Sequence, residues 1–153
     1  MIRVLLADDQ AMVRGALATV LGLENDIEVV GQVGSGDEVV AAARETEPDV
    51  ALLDVQMPGK DGLEAAADLR AALPSCRVII CTTFGRPGYL ARAMAAGAAG
   101  FVVKDAPPEQ LVEAVRRVHS GLRVVDPALA AESLATGASP LTGRERDVLR
   151  EAK

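Results

Sequence analysis

Four apolar runs of this chain end on groups that can do chemistry. "IRVLLAD" closes on Asp8 with Asp9 behind it, and "VALLD" closes on Asp54. "RVIICTT" carries Thr82 near its end, and "GFVVKD" carries Lys104. If the runs are parallel strands, their carboxyl ends share one edge of the sheet. The crevice outside that edge is where open α/β sheets bind ligands. Asp8, Asp9 and Asp54 brought together repel one another, so protons or a cation must neutralise them. An all-oxygen site with few protein ligands suits Mg²⁺, which keeps several of its waters. Beside a cation, a carboxylate such as Asp54 can act as a nucleophile toward phosphorus. Lys104 would neutralise charge on a transferring phosphoryl group, and the Thr82 hydroxyl would donate to one of its oxygens. Lys60 falls in a loop and Lys153 in the tail, which leaves Lys104 as the lysine placed for that task.

The elements that must position these groups are written in the pattern around them. Five short runs, at 2–8, 27–33, 50–54, 77–83 and 100–105, are rich in Val, Ile and Leu without strict alternation. That is expected of strands covered on both faces. Between them, Val13, Ala16, Leu17, Val20 and Leu21 follow helical spacing, as do Leu111, Val115 and Val118. Pro48, Pro74 and Pro107 mark helix boundaries. Strands alternating with helices predict an α/β fold with a doubly wound parallel sheet.

Composition narrows the functional classes. The 153 residues are 50% hydrophobic but only 2% aromatic, so the core must be aliphatic. Cys76 and Cys81 lie five apart with no neighbouring His, which fits neither a zinc site nor a disulfide framework. This predicts a reduced, cytoplasmic protein. The opening "MIRVLLADDQ" is too short in apolar residues for a signal peptide or a membrane span, so no membrane partner is expected. A net charge of -6 argues against a nucleic-acid surface over most of the chain. From residue 141 onward, however, four basic residues face three acidic ones. Residues 1–121 read as one domain, and 122–140 as a linker with a possible short helix begun by Asp126 and Pro127. Residues 141–153 read as the start of another helix, with Thr142 and Glu145 forming a capping box.

"LLADDQ", "LLDVQMPGKDG", "IICTTF" and "GFVVKD" together resemble the signature blocks of two-component response regulator receiver domains over roughly residues 1–120. The resemblance implies a five-stranded flavodoxin-like sheet of order 2-1-3-4-5. It makes Asp54 the phosphoacceptor and Asp9 the main Mg²⁺ ligand. Asp8 would act through water, and the Gln56 backbone carbonyl would complete the metal shell. Thr82 and Phe101 match the switch pair that moves inward on phosphorylation. The tail "PLTGRERDVLREAK" is similar to the opening of the LuxR-type helix-turn-helix of the NarL/FixJ family, and "TTFGRPGY" resembles the subgroup around the membrane-lipid regulator DesR. Such proteins are phosphorylated by sensor histidine kinases, form homodimers and bind promoter DNA through a full C-terminal domain. This chain stops within the first helix of that domain, so it is not expected to bind DNA specifically by itself.

Two departures from the family pattern stand out. Asp105 follows the lysine where Pro is frequent, which leaves the isomer of the Lys104–Asp105 bond open. Phe84 stands two residues past Thr82, where it would shield an acyl phosphate from water. Met12, Gly15, Thr19, Leu23 and Val112 lie beyond the expected core stripes and suggest a two-fold dimer contact. Two competing readings are a stand-alone receiver acting by protein contact and an aspartate phosphatase. Turnover of the second kind is disfavoured by Gln56, which stands where such phosphatases carry a second acid.

Overall fold

Alternating side chains divide every long strand between two cores, and this decides the architecture. The computed structural model describes residues 1–82, 89–104 and 106–125, with backbone alone at Tyr89 and Leu90. Phe84, the Lys104–Asp105 bond, the helix expected from Asp126 and the helix expected after residue 141 lie outside the described residues. The strands are β1 (Ile2–Ala7), β2 (Ile27–Val33), β3 (Val50–Asp54), β4 (Arg77–Thr82), β5 (Gly100–Val103) and β6 (Val124–Val125). All are parallel, in the order β2-β1-β3-β4-β5-β6. The helices are α1 (Ala11–Gly22), α2 (Val39–Thr46), α3 (Gly62–Ala72), α4 (Tyr89–Ala95) and α5 (Pro108–His119).

On one face of the sheet, Leu5, Leu53, Ile80 and Phe101 meet Val39 and Ala43 of α2, Leu63, Ala66 and Leu69 of α3, and Ala93 of α4. On the other, Val4, Leu52, Ile79 and Val102 meet Leu21 of α1 and Leu111, Val115 and Val118 of α5. Consecutive strand residues therefore point to opposite cores, as the two-residue period of a strand requires. All five residues of β3 are buried, which explains why it reads as a continuous apolar run. Full burial of each large aliphatic side chain contributes about 1.5–3 kcal/mol.

The doubly wound sheet and its 2-1-3-4-5 order are as expected, with one addition. A sixth strand lies within 122–140, the stretch expected to be a linker. Gly121, at φ +100°, ends α5 in the left-handed region. The chain then turns so that the Val124 amide donates to the Ala99 carbonyl at 3.0 Å. Val124 and Val125 pair with Gly100 and Phe101. Two residues are too few to show a period, so the strand leaves no trace in the sequence pattern.

The expected dimer face divides. Met12, Gly15, Thr19 and Leu23 are exposed along α1, with Met12 89% and Leu23 76% accessible. Val112 is only 6% accessible and belongs to the core beneath α5. It lies inside the core, not beyond it, because the apolar arc of α5 is wider than Leu111, Val115 and Val118 alone. No helix among the described residues is long and apolar enough to cross a membrane.

Candidate functional site

β1 and β3 are neighbours in the middle of the sheet, so Asp8, one residue past β1, stands beside Asp54 at the end of β3. β5 is two strands from β3, with β4 between them, and its following residue Lys104 reaches back across the edge. The Lys104 ammonium lies 2.9 Å from Asp8 Oδ2 and 3.1 Å from Asp54 Oδ2. Both carboxylates are buried, Asp8 3% and Asp54 7% accessible. Asp9 is exposed and its carboxylate has no hydrogen bond or ion pair among the described residues. One oxygen from each of Asp8, Asp9 and Asp54 lies within 4.8 Å of the others.

Local hydrogen bonds set these side chains. The Gln10 amide donates to Asp8 Oδ1 at 2.9 Å, and the Gln56 amide donates to Asp54 Oδ1 at 3.3 Å. Each aspartate thus folds back on the turn after its strand, as Asp side chains do in Asx turns. The cap position of α1 is Gln10, so neither Asp8 nor Asp9 caps the helix. Thr82 is 4% accessible at the end of β4, and its carbonyl accepts from the Lys104 amide at 2.8 Å. Phe101 is buried at 2% in the core that faces α3 and α4.

Electrostatics oppose one another here. Burial pushes the Asp54 carboxyl above its ordinary value, and the Lys104 ammonium only partly offsets that while Asp8 adds to it. Burial also disfavours the Lys104 ammonium, but its hydrogen bonds to Asp8 and Asp54 outweigh it and raise its pKa. One lysine among three carboxylates leaves the cluster short of positive charge. Together with the free Asp9 and the exposed Gln56 turn, that shortage fits a hard divalent cation with oxygen ligands.

Three further residues shape the site without having drawn notice in the sequence. The Arg14 Nη1 donates to the Asp8 carbonyl at 2.6 Å and braces the β1–α1 turn. An arginine on an amphipathic helix gives no signal of that contact. At Gly62, a Cβ would overlap the Asp54 carbonyl, so α3 can start this close to β3 only with glycine. At Gly36, a Cβ would overlap the Lys60 carbonyl, which lets the β2–α2 connection press on the β3–α3 loop. Asp61 then starts α3 with a capping box: the Glu64 amide donates to Asp61 Oδ1 at 2.8 Å and the Asp61 amide to Glu64 Oε1 at 3.1 Å. Cys81, next to the site, is a buried thiol pushed up to about 12 by desolvation, which favours its protonated form.

A parallel sheet of this order with an acid triad and a lysine at its carboxyl edge defines a receiver. The response regulator receiver domain model matches residues 4–116, and the chain belongs to that family. Its relatives are transcriptional regulators. The chain is 47% identical over 149 residues to the transcriptional regulatory protein DesR of Bacillus subtilis, covering 97% of this chain and 73% of DesR. It is 43% identical to the transcriptional regulatory protein YvfU of the same organism, covering 99% and 76%. Among solved structures, a LuxR-family two-component response regulator from Aurantimonas sp. SI85-9A1 superposes with a TM-score of 0.83 at 29% identity, over 90% of this chain and 98% of that one. A LuxR-family DNA-binding response regulator from Staphylococcus aureus gives 0.73 at 34% identity, over 78% and 99%.

Proposed function

We propose that this receiver accepts a phosphoryl group on Asp54 from a sensor histidine kinase, and that the phosphorylated form dimerises and governs promoter binding by a C-terminal domain beginning near residue 141. The observation that carries the reading is the Lys104 ammonium held between Asp8 and Asp54 while Asp9 stays free beside them.

Asp8, Asp9, Asp54 and the Gln56 carbonyl would hold Mg²⁺, with Asp8 acting through water. When bound, the cation supplies the positive charge that lets the carboxylates stay ionised next to an incoming phosphoryl group. An Asp54 carboxylate oxygen forms the new bond to phosphorus as the bond from phosphorus to the donor nitrogen breaks, and the electron pair leaves on that nitrogen. Lys104 exchanges its carboxylate partners for a phosphoryl oxygen, and the Thr82 hydroxyl donates to another. Thr82 and the neighbouring strand residue Phe101 then form the switch pair whose inward arrangement the phosphoryl group favours. A switch of this kind shifts only as far as the phosphoryl group's differential interaction with the two arrangements. The exposed α1 face of Met12, Gly15, Thr19 and Leu23 is the surface proposed to meet a second copy.

The reading is tested by incubating the chain with acetyl phosphate and Mg²⁺. Labelling should stop at one phosphoryl group per chain, disappear in Asp54→Asn and shift the sedimentation coefficient toward a dimer. Sustained turnover of the donor would instead indicate a phosphatase, and labelling that leaves the chain monomeric would remove the dimer from the mechanism.

A further inference from the structure

At the amino edge of the sheet, opposite the acid site, lies a second cleft of about 700 Å³. Arg70 comes to it from the last turn of α3, Arg77 from the start of β4 and Arg123 from the approach to β6. All three are exposed, and none is paired with a carboxylate among the described residues. No acid lines the cleft. The Asp49 carboxylate, whose charge reaches neighbouring Cys76, is engaged by the Arg3 amide at 2.9 Å.

Although exposed, each guanidinium rests against the protein wall. Arg70 lies over Gly97 so closely that a Cβ there would overlap its Nη1, and Gly97 is itself in the left-handed region at φ +91°. The Arg77 Nη1 donates to the Val118 carbonyl at 3.3 Å, at the end of α5, and sits 3.6 Å from where a Cβ on Gly121 would stand. The Arg123 Nη1 lies 3.8 Å from Met94 Sδ. Neutralising the carbonyl end of a helix accounts for Arg77, but not for three arginines converging on one concavity without an acid among them.

We infer that this cleft binds a small organic polyanion, a molecule carrying two or more phosphate or carboxylate groups. Arginine forks match such groups bidentately, and the volume is that of a small-ligand site. The net charge of -6 repels a long polyanion such as duplex DNA. The charged side chains that line the cleft, and that a molecule small enough to sit within it would meet, are all arginines. Because Arg123 immediately precedes β6, an occupied cleft would lie at the root of the segment leading toward the C-terminal part of the chain.

The test is titration of the ¹⁵N-labelled chain with tripolyphosphate in metal-free buffer, followed by amide shifts. Saturable binding with shifts at Gly97, Gly121 and Arg123 is expected. Affinity should fall about tenfold in each of Arg70→Ala and Arg123→Ala, the loss of one charge-assisted contact. Arg77→Lys should keep the fold and weaken binding less than Arg77→Ala. Failure to saturate, shifts centred on Asp8 and Asp54, or affinity unchanged in all the arginine variants would overturn the inference. So would a DNA duplex that displaces tripolyphosphate at lower concentration, which would make the cleft a nucleic-acid contact.

Discussion

The two edges of the sheet carry opposite charge and hold it in opposite ways. At the carboxyl edge, Asp8 and Asp54 are buried against a single lysine, and desolvation first and the neighbouring Asp8 second disfavour the charge on Asp54. At the amino edge, Arg70, Arg77 and Arg123 are exposed, and water screens each from the others. Buried like charges make the first edge responsive, since any proton, cation or phosphoryl group that changes the balance changes the energy of the fold. The second edge can attract an anion, but little is stored there to be released. Charge count alone would have ranked the two alike; burial separates them.

The sharpest way to break this comparison is Asp54→Asn. The substitution should abolish labelling by acetyl phosphate and, by removing a buried charge, raise the melting temperature of the metal-free chain. Loss of labelling with a lower melting temperature would mean that the buried charge costs the fold nothing. Lys104→Met comes next. It leaves Asp8 and Asp54 without their counter-charge, so labelling should slow by about 100-fold or more. Chemical denaturation should show a loss of about 2–3 kcal/mol, limited because a carboxyl can take up a proton instead. Gly62→Ala should cost about 1–3 kcal/mol by driving α3 away from the Asp54 carbonyl, measured by the same denaturation, and should slow labelling through the displaced aspartate.

The smallest effect is in pH dependence. Because the Asp54 carboxyl is raised in the fold, its contribution to stability is full below the unfolded value of about 3.9 and is lost as pH rises through the folded value. The raised Lys104 contributes stability that is likewise full below the unfolded value of about 10.4 and fades above it. Urea midpoints of the parent and Asp54→Asn, compared from about pH 4 upward, should therefore diverge, with the variant declining less. Arg70 lies at the opposite edge and touches neither Asp54 nor Lys104, so Arg70→Ala should leave that slope unchanged.

The carboxyl edge was legible in the sequence because each strand there ends abruptly, an apolar run closing on one polar residue of distinct type. Order along the chain then supplied what any one residue lacked: Asp8, Asp54, Thr82 and Lys104 each have an ordinary reading alone. The amino edge was not legible. Arg70, Arg77 and Arg123 are scattered over a helix, a strand start and a turn, and only the fold gathers them. Contacts made through backbone were equally silent, as with Gly62 under the Asp54 carbonyl and Arg14 on that of Asp8. Val112 shows the reverse limit. Helical spacing sets it outside the stripe of Leu111, Val115 and Val118, yet the sheet reaches far enough beneath α5 to bury it.

The two-residue β6 has a consequence for how the molecule behaves among its own copies. A sheet ending at β5 would offer the backbone of Gly100 and Phe101 as a template for a foreign strand. Among the described residues, β6 occupies that position and leaves Val124 and Val125 as the rim. At the opposite margin, the pairing of β2 with β1 slips between Val4 and Leu5, which breaks the regular spacing along β2. Short or irregular margins recruit other strands poorly. Self-recognition by sheet extension, the route toward fibres, is thereby discouraged at both of these margins.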